Sequence, residues 1–221
     1  MELIGHRGAP REFLENTIPA FTRAFERGAN AVELDVHATS DDEVVVHHDP
    51  TIARGASSYG GRAIADLALA QVRAIRLDGG LGIPTLAQVL EIVPSGRRVY
   101  VEIKGDGIEE LVAAVIREHR VDCAVHSFDH ATIARIRRIA PEIPRGILYD
   151  RRGIDVDAAM RETGARDVWP NWKLIDRETI DLVHARGGRV CAWTVNGRVP
   201  ELGIDAVCTD DVRLFAQGPG A

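Results

Sequence analysis

Six ionisable residues, each at or near the end of a short apolar run, could act together on a phosphate ester. They are two histidines, three carboxylates and one lysine: His6, Glu33, Asp35, His48, Glu102 and Lys104. One histidine can accept a proton while the other donates one. Lys104 and Arg7, which follows His6, can neutralise phosphate oxygens through charge-assisted hydrogen bonds. The set therefore predicts a site for phosphate-ester chemistry.

The three carboxylates predict a metal ion. Glu33 and Asp35 are two residues apart, and so are Glu102 and Lys104, so that on a β-strand each pair points to one face. Three convergent carboxylates repel one another strongly unless a cation holds them together. Because an all-oxygen ligand set favours a hard divalent ion, the predicted cofactor is one Mg²⁺ or Ca²⁺.

The size and composition of the chain exclude several classes of protein. Its 221 residues suit one domain with a large core, and we expect a single domain over residues 1–221. The net charge of −6 argues against a groove that binds nucleic acid. No run reaches about 18 apolar residues, the length that suggests a transmembrane helix, and the N-terminus lacks a secretory pattern. We therefore expect no stable association with membranes.

The cysteines bear on the cellular compartment. Cys123, Cys191 and Cys208 lie in apolar, strand-like runs and form no Cys-x-x-Cys motif. An odd number of cysteines on strands predicts free core thiols in a reducing compartment. The sequence therefore favours a cytoplasmic location, and it leaves the oligomeric state open.

Short β-branched runs alternate with amphipathic segments, and this alternation predicts a parallel sheet. Eight strands are predicted at residues 3–6, 31–35, 99–104, 123–127, 146–149, 167–170, 189–194 and 205–209. Helices between them are predicted at 17–27, 108–119, 130–139, 155–163 and 177–186. Eight such strands in one α/β domain predict a closed (β/α)8 TIM barrel, in which side chains at the carboxyl ends of strands converge on one face.

A ninth apolar run, residues 44–48, needs a different connection. It follows the second strand too closely for a helical crossover, so a β-hairpin is predicted. A turn centred on residues 41–42 would place His48 opposite Asp35, at the level of the carboxylates. A slip by one residue would direct His47 inward instead.

The segment after the hairpin is predicted to leave the barrel briefly. Residues 50–83 form a short, insertion-like excursion with one helix at 66–75. Thr85 follows Ile83-Pro84 and is predicted to cap the next helix. His37, on the hairpin, is predicted to be exposed.

The motifs that carry these residues resemble those of the glycerophosphodiester phosphodiesterase family, within the phospholipase-C-like phosphodiesterase superfamily. In chain order they are His6-Arg7-Gly8, Glu15-Asn16-Thr17, Glu33-Leu34-Asp35-Val36, His48-Asp49-Pro50, Ile83-Pro84-Thr85-Leu86, Glu102-Ile103-Lys104, Ser127-Phe128 and Trp193-Thr194-Val195-Asn196. Each is weak alone, but together they run in family order over residues 6–196. The closing Thr209-Asp210 is present without the proline that often follows it.

The resemblance implies an activity and a role for each site residue. The expected reaction is metal-dependent hydrolysis of glycerophosphodiesters to glycerol 3-phosphate and an alcohol. The implied roles are acid–base catalysis for His6 and His48, metal binding for Glu33, Asp35 and Glu102, and substrate binding for Arg7, Lys104 and Trp193. The sequence leaves open which histidine is the acid, and whether the glycerol 2-hydroxyl or a water attacks phosphorus.

Two other functions are compatible with parts of this pattern. A lysophospholipase D-type phosphodiesterase would share the histidine and carboxylate motifs, but its lipid substrate would favour an apolar rim. Loops such as Arg11-Glu12-Phe13-Leu14 offer little apolar surface. A non-catalytic phosphate-binding barrel would be expected to lack a histidine or a carboxylate of the set, and all of them are present.

Overall fold

Eight parallel strands close into a barrel in the computed structural model, which describes residues 1–54, 58–198 and 202–215. The strands of the described residues are β1 (Glu2–His6), β2 (Ala31–Ala38), β3 (Val44–Val46), β4 (Arg98–Ile103), β5 (Asp122–Ser127), β6 (Arg145–Tyr149), β7 (Asp167–Pro170), β8 (Arg189–Ala192) and β9 (Ala206–Thr209). The barrel order is β1-β2-β4-β5-β6-β7-β8-β9, and β9 pairs with β1. The predicted (β/α)8 TIM barrel is confirmed.

Helices cover the outside of the barrel. They are α1 (Ile18–Glu26), α3 (Leu86–Glu91), α4 (Glu109–Glu118), α5 (His130–Ile139), α6 (Val156–Thr163) and α7 (Arg177–Ala185), while α2 (Leu69–Ala74) lies in the excursion. The five helices predicted between strands are present, with ends within one residue of those expected. Residues 193–198 and 202–205, between β8 and β9, contain no helix. No helix in the described ranges is long and apolar enough to cross a bilayer.

Along strand β2, apolar side chains alternate with carboxylates. Val32, Leu34 and Val36 are buried in the core cluster that also contains residues of α1, α3 and α4. Glu33 and Asp35 alternate with them and are also buried. Because successive side chains point to opposite faces of a strand, the two carboxylates point into the barrel.

The lower barrel interior is filled by large rings. Tyr100 and Trp169 are fully buried and meet edge to face, with ring centroids 4.9 Å apart. The Tyr100 hydroxyl donates a hydrogen bond to Glu2 at 2.8 Å and accepts one from Arg189 at 3.1 Å. Because β1 begins at Glu2 and β8 at Arg189, this network closes the amino-terminal end of the barrel. The polar residues at the carboxyl ends of the strands therefore lie above a packed barrel interior.

The hairpin forms as predicted, but its register differs by one residue from the expected one. Strand β3 runs antiparallel to β2 with Val36 paired to Val46, and the amide of His47 donates to the carbonyl of Asp35 at 3.0 Å. His47, rather than His48, is therefore opposite Asp35. The strand pairing ends at Val46, and the chain bends at His48.

The excursion has its own small core. It contains Val45 of the hairpin together with six buried residues of the excursion: Ile52, Ile64, Leu67, Val72, Ile75 and Ile83. Helix α2 begins three residues later than predicted, because Leu67 is extended and buried and its carbonyl accepts from the amide of Ser40 at 2.9 Å. Thr85 caps α3 as predicted, in a capping box with Gln88.

Candidate active site

Seven of the eight predicted site residues line one cavity at the carboxyl ends of the strands. Its volume is about 320 Å³, and the seven are His6, Arg7, Glu33, His48, Glu102, Lys104 and Trp193. Asp35, the eighth, is buried beside the cavity and contacts two of these residues, Arg7 and Lys104. The strand registers account for the convergence, since His6 pairs with Glu33 and Asp35 pairs with Glu102.

The loop after β1 is tightly packed. Arg7 has a left-handed backbone (φ 53°), and its amide donates to Glu33 Oε2 at 3.2 Å. Gly8 is also left-handed (φ 92°), and a Cβ at this position would lie 2.6 Å from the carbonyl carbon of Ala20. Only glycine fits both the conformation and the close approach to α1. The sequence His6-Arg7-Gly8 thus holds its first two side chains over the barrel.

The Arg7 guanidinium joins two acidic residues. Its Nη1 donates to Glu15 Oε1 at 2.9 Å, and its Nε lies 3.1 Å from Asp35 Oδ2. The same Asp35 oxygen accepts from Asn16 Nδ2 at 2.8 Å. Glu15 and Asn16 therefore organise this loop through hydrogen bonds.

His6 is held by a carboxylate from the other end of the chain. Its Nδ1 lies 2.7 Å from Asp210 Oδ1, and its Nε2 lies 3.9 Å from Glu33 Oε2. Burial acts to lower the pKa of His6, but the bond to Asp210 and the charge of Glu33 outweigh it, so the pKa is raised. Asp210 also accepts from Asn196 Nδ2 at 2.6 Å.

His48 has the same type of contact with its sequence neighbour. Its Nδ1 lies 2.7 Å from Asp49 Oδ1, and its side chain is 37% exposed. The His48 carbonyl lies 3.2 Å from His37 Nε2, and His37 is buried, so the prediction that His37 is exposed is wrong. His47 Nδ1 bonds instead to the carbonyl of Asp49 at 2.9 Å, and His47 does not line the cavity. The bend after β3 thus turns His48 toward the cavity despite the shifted register.

Two of the three carboxylates form a compact group with a histidine that the sequence reasoning missed. One ligand atom each of Glu33, Glu102 and His126 lies within 4.8 Å of the others. Asp35 lies outside this group, and its Oδ1 makes no hydrogen bond within the described part of the chain, although Lys104 Nζ lies 3.4 Å away. His126 precedes Ser127-Phe128 on β5 and pairs in register with Glu102. In the sequence, the signal that could indicate it is its position near the end of the predicted strand 123–127, directly before Ser127-Phe128.

Burial and mutual repulsion separate the pKa values of the two glutamates. Burial raises the pKa of Glu102, and the charges of Asp35 and Glu33 raise it further, while Lys104 acts in the opposite direction. Burial also acts to raise the pKa of Glu33, but the neighbouring His126, together with His6 and Arg7, outweighs it, so that pKa is lowered. The pKa values of the two glutamates therefore move in opposite directions, although the two side chains lie close together.

Lys104 stands between two of the carboxylates. Its Nζ donates to Glu102 Oε1 at 2.8 Å and lies 3.4 Å from Asp35 Oδ1. Its Nζ also lies 5.9 Å from the centre of the Phe128 ring. Burial acts to lower the pKa of Lys104, but Glu102 and Asp35 outweigh it and raise the pKa. The ammonium is therefore charged and lies at the cavity surface.

Trp193 forms part of the opposite wall. Its Nε1 donates to the carbonyl of Trp169 at 2.9 Å, and its ring meets Phe128 edge to face at 5.3 Å. Both contacts fix the ring with one apolar side toward the cavity. This wall faces the cations and carboxylates of β1, β2 and β4.

The donor atoms of the cavity fit a divalent cation. Glu33 and Glu102 offer carboxylate oxygens close together, and among the described residues Asp35 Oδ1 and His126 Nδ1 are buried without a hydrogen bond. Buried polar atoms are normally satisfied, and a bound cation would satisfy these.

Comparisons with known proteins agree with this geometry. A family model described as the glycerophosphoryl diester phosphodiesterase family matches residues 6–214. The chain is 31% identical over 231 residues to a glycerophosphodiester phosphodiesterase of Caldanaerobacter subterraneus, a match that covers 95% of this chain and 93% of that one.

Solved structures show the same likeness. The crystal structure of a glycerophosphodiester phosphodiesterase from Thermotoga maritima has a TM-score of 0.82 at 27% identity and covers 96% of each chain. A phosphodiesterase of Oleispira antarctica, solved in complex with the product sn-glycerol-3-phosphate, shares the fold with a TM-score of 0.85 at 23% identity, over 96% of this chain and 94% of that one. The chain belongs to the glycerophosphoryl diester phosphodiesterase family.

Proposed function

We propose that this chain hydrolyses glycerophosphodiesters to glycerol 3-phosphate and an alcohol, with one divalent cation, Mg²⁺ or Ca²⁺, at Glu33, Asp35 and Glu102. Its family makes it a phosphoric diester hydrolase. The observation that carries the proposal is the single cavity in which His6 and His48 meet two carboxylates and two cationic side chains. The presence of glycerol 3-phosphate in the Oleispira antarctica structure supports the same product here.

The two histidines are proposed as the general acid and base. In each, Nδ1 faces an aspartate oxygen at 2.7 Å, Asp210 for His6 and Asp49 for His48. An Nδ1 proton donated to the carboxylate leaves Nε2 as the nitrogen that exchanges protons with the substrate. Asp210 also stabilises the imidazolium form of His6, whose pKa is raised. One histidine then removes a proton from the nucleophile while the other protonates the departing alcohol.

Arg7 and Lys104 are proposed to bind the phosphate. Both line the cavity, and both already contact Asp35. Their charges would stabilise the negative charge on the phosphate oxygens as it redistributes in the transition state. When bound, the divalent cation would add Lewis-acid polarisation of a phosphoryl oxygen.

The space around Arg7 and Lys104 suggests where the glycerol and the departing alcohol of the substrate lie. The cavity walled by Trp193 suits glycerol, which is small. A second cleft of about 400 Å³ shares four lining residues with the cavity: His48, Glu102, Lys104 and Phe128. This cleft is proposed to receive the departing alcohol, because His48 lies at its junction with the cavity.

A lysophospholipase D-type activity receives less support. Phe128 is the one exposed large hydrophobic residue of the described chain that lines the second cleft, and three aspartates line it as well: Asp49, Asp106 and Asp129. An acyl chain would need a wider apolar surface there.

The single domain over residues 1–221 and the cytoplasmic location remain proposals as well. The excursion core includes Val45 of the hairpin, which supports one domain. Cys123, Cys191 and Cys208 are buried and free, which supports a reducing compartment.

Release of glycerol 3-phosphate from a panel of glycerophosphodiesters tests the proposal. The chain is stripped with a chelator and assayed with and without added Mg²⁺ or Ca²⁺. We expect release that requires the ion and is strongly reduced in Glu102→Gln. No release from any member of the panel in the presence of either ion would reject the activity, and undiminished turnover after chelation would reject the metal dependence.

A substrate that lacks the glycerol 2-hydroxyl distinguishes attack by that hydroxyl from attack by water, because only direct attack by water would cleave it.

A further inference from the structure

His126 has a position and an environment that the proposed reaction does not use. It lies on β5 between Glu102 of β4 and Gly146 of β6 in the sheet register. Its side chain is 1% exposed and lines the cavity at the carboxylates. Neither ring nitrogen forms a hydrogen bond with any protein group among the described residues. Burial of this imidazole is costly, because its polar atoms lose their hydration and its near contact, from Nε2 to Glu33 Oε1 at 3.5 Å, is long for a hydrogen bond.

The imidazole ring is held in place by aromatic neighbours. It stacks on Tyr100 with an interplanar angle of 9° and meets Trp169 edge to face, with ring centroids 4.4 Å apart. Gly146 makes room for Trp169, since a Cβ there would lie 2.8 Å from Trp169 Nε1. The packing therefore fixes the ring plane and leaves Nε2 directed at Glu33, 3.5 Å from its Oε1. Packing of this kind preorganises a ligand.

We propose that His126 is a nitrogen ligand of the divalent cation, beside the carboxylates of Glu33 and Glu102. Its ligand atom and theirs lie within 4.8 Å of one another, so one ion can contact all three. Asp35 has only Oδ1 left for the ion, because its Oδ2 already contacts Arg7 and Asn16. The inference rests on the metal dependence proposed above.

A nitrogen ligand changes which ion the site prefers. Carboxylates alone suit Mg²⁺ and Ca²⁺, whereas imidazole suits first-row transition ions. A mixed set of oxygen and nitrogen ligands therefore favours an ion such as Mn²⁺ over Mg²⁺ and Ca²⁺. Transition ions bind most sites more tightly than Mg²⁺, so a preference for Mn²⁺ does not by itself identify a nitrogen ligand. A preference for Mn²⁺ that depends on His126 does.

Pulsed electron paramagnetic resonance of bound Mn²⁺ tests the proposal without an activity assay. A directly bound imidazole gives a nitrogen-14 hyperfine coupling to the ion. We expect the coupling in the wild-type protein and its loss in His126→Gln at equal Mn²⁺ occupancy. The matched control is His130→Gln, because His130 bonds to the carbonyl of Leu148 and does not line the cavity. His6→Gln should also keep the coupling.

Calorimetric titration provides a second measurement. In His126→Gln the affinity for Mn²⁺ should fall by about tenfold or more, while the affinity for Mg²⁺ falls less. Equal losses for the two ions would overturn the inferred preference. Circular dichroism and the thermal midpoint check that the variant is folded, and His126→Asn replaces it where it is not.

The outcomes separate this inference from the proposed function. A wild-type protein that binds Mn²⁺ without a nitrogen coupling overturns the role of His126 and leaves the metal dependence standing. A wild-type protein that binds no divalent cation overturns both. Where neither substitution at His126 folds, a coupling that survives both His6→Gln and His48→Gln supports His126, because these three are the histidines that line the cavity. Loss of the coupling in either of those variants overturns the assignment.

Discussion

His6 and Asp210 are 204 residues apart in the chain, yet His6 Nδ1 lies 2.7 Å from Asp210 Oδ1. His6 ends β1, and Asp210 directly follows β9, the two strands whose pairing closes the barrel. Asp210 is itself held by Asn196, which donates to its second oxygen at 2.6 Å. Closure of the barrel therefore orients a histidine of the candidate site.

Asp210→Asn should lower kcat more than it changes KM. The amide keeps the size of the side chain but removes the charge that stabilises the imidazolium, and it allows the other His6 tautomer. The loss should approach, without exceeding, the roughly 10²–10⁴-fold that general acid–base catalysis contributes. Steady-state kinetics on a glycerophosphodiester measure it.

A double-mutant cycle distinguishes this role from a purely structural one. If Asp210 acts through His6, the pair His6→Ala and Asp210→Asn should be no slower than His6→Ala alone, because residues that act as a unit lose activity non-additively. Losses that multiply would mean that Asp210 acts independently of His6.

His48→Gln should lower kcat by about 10²–10⁴-fold, whereas His47→Gln should stay near the wild-type value. Both histidines are half-buried neighbours, so the second variant is a matched control for the first. The reason for the difference is local: His48 lines the cavity, while His47 bonds to the carbonyl of Asp49. Equal losses in the two variants would show that His47 reaches the substrate.

The barrel and most of the site could be predicted because they depend on local patterns. The apolar alternation around Glu33 and Asp35 indicates the strand and the inward face at once. Gly8 and Thr85 also carry local information, one as the residue required by a left-handed turn against α1 and the other as a helix cap. Such signals lie within a few neighbouring residues.

What could not be predicted depends on contacts between distant segments. The tip of the hairpin contacts the excursion, where the amide of Ser40 donates to the carbonyl of Leu67. His126 becomes part of the site only through its pairing with Glu102 across two strands. Asp210 likewise meets His6 only when the barrel closes. No pattern along the chain reports these distances.

Asp176→Ala should destabilise the fold in a pH-dependent way. Asp176 caps α7, and its Oδ1 accepts from the amide of Thr179 at 2.8 Å. This backbone hydrogen bond lowers the pKa of Asp176 below its ordinary value of 3.8. The cap therefore stabilises the fold fully above about pH 4, and the stabilisation is lost as the pH falls through the lowered pKa. Urea unfolding at neutral pH should show a loss of about 0.5–2 kcal/mol.

The difference between Asp176→Ala and the wild-type protein should shrink in acid. Asp176→Asn is the matched control, because asparagine also caps helices but does not titrate in this range. Its stability relative to Asp176→Ala should not change with pH. A constant difference between the wild-type protein and Asp176→Ala down to the acid limit of folding would reject the link to this carboxylate.

Lys104→Met should lower kcat/KM by about 10²-fold without weakening the binding of the divalent cation. The ammonium contacts Glu102 at 2.8 Å and lines the cavity, so its removal takes away a positive charge that would stabilise the phosphate in the transition state. The same removal leaves Glu102 and Asp35 less neutralised, and they should attract a divalent cation at least as strongly. Kinetics and metal titration together separate the two effects.

Lys173→Met is the control, since Lys173 is exposed and is the other lysine of the chain. Wild-type kcat/KM in Lys104→Met would reject the phosphate contact, and a raised KM with unchanged kcat would mean that Lys104 binds the ground state and the transition state equally.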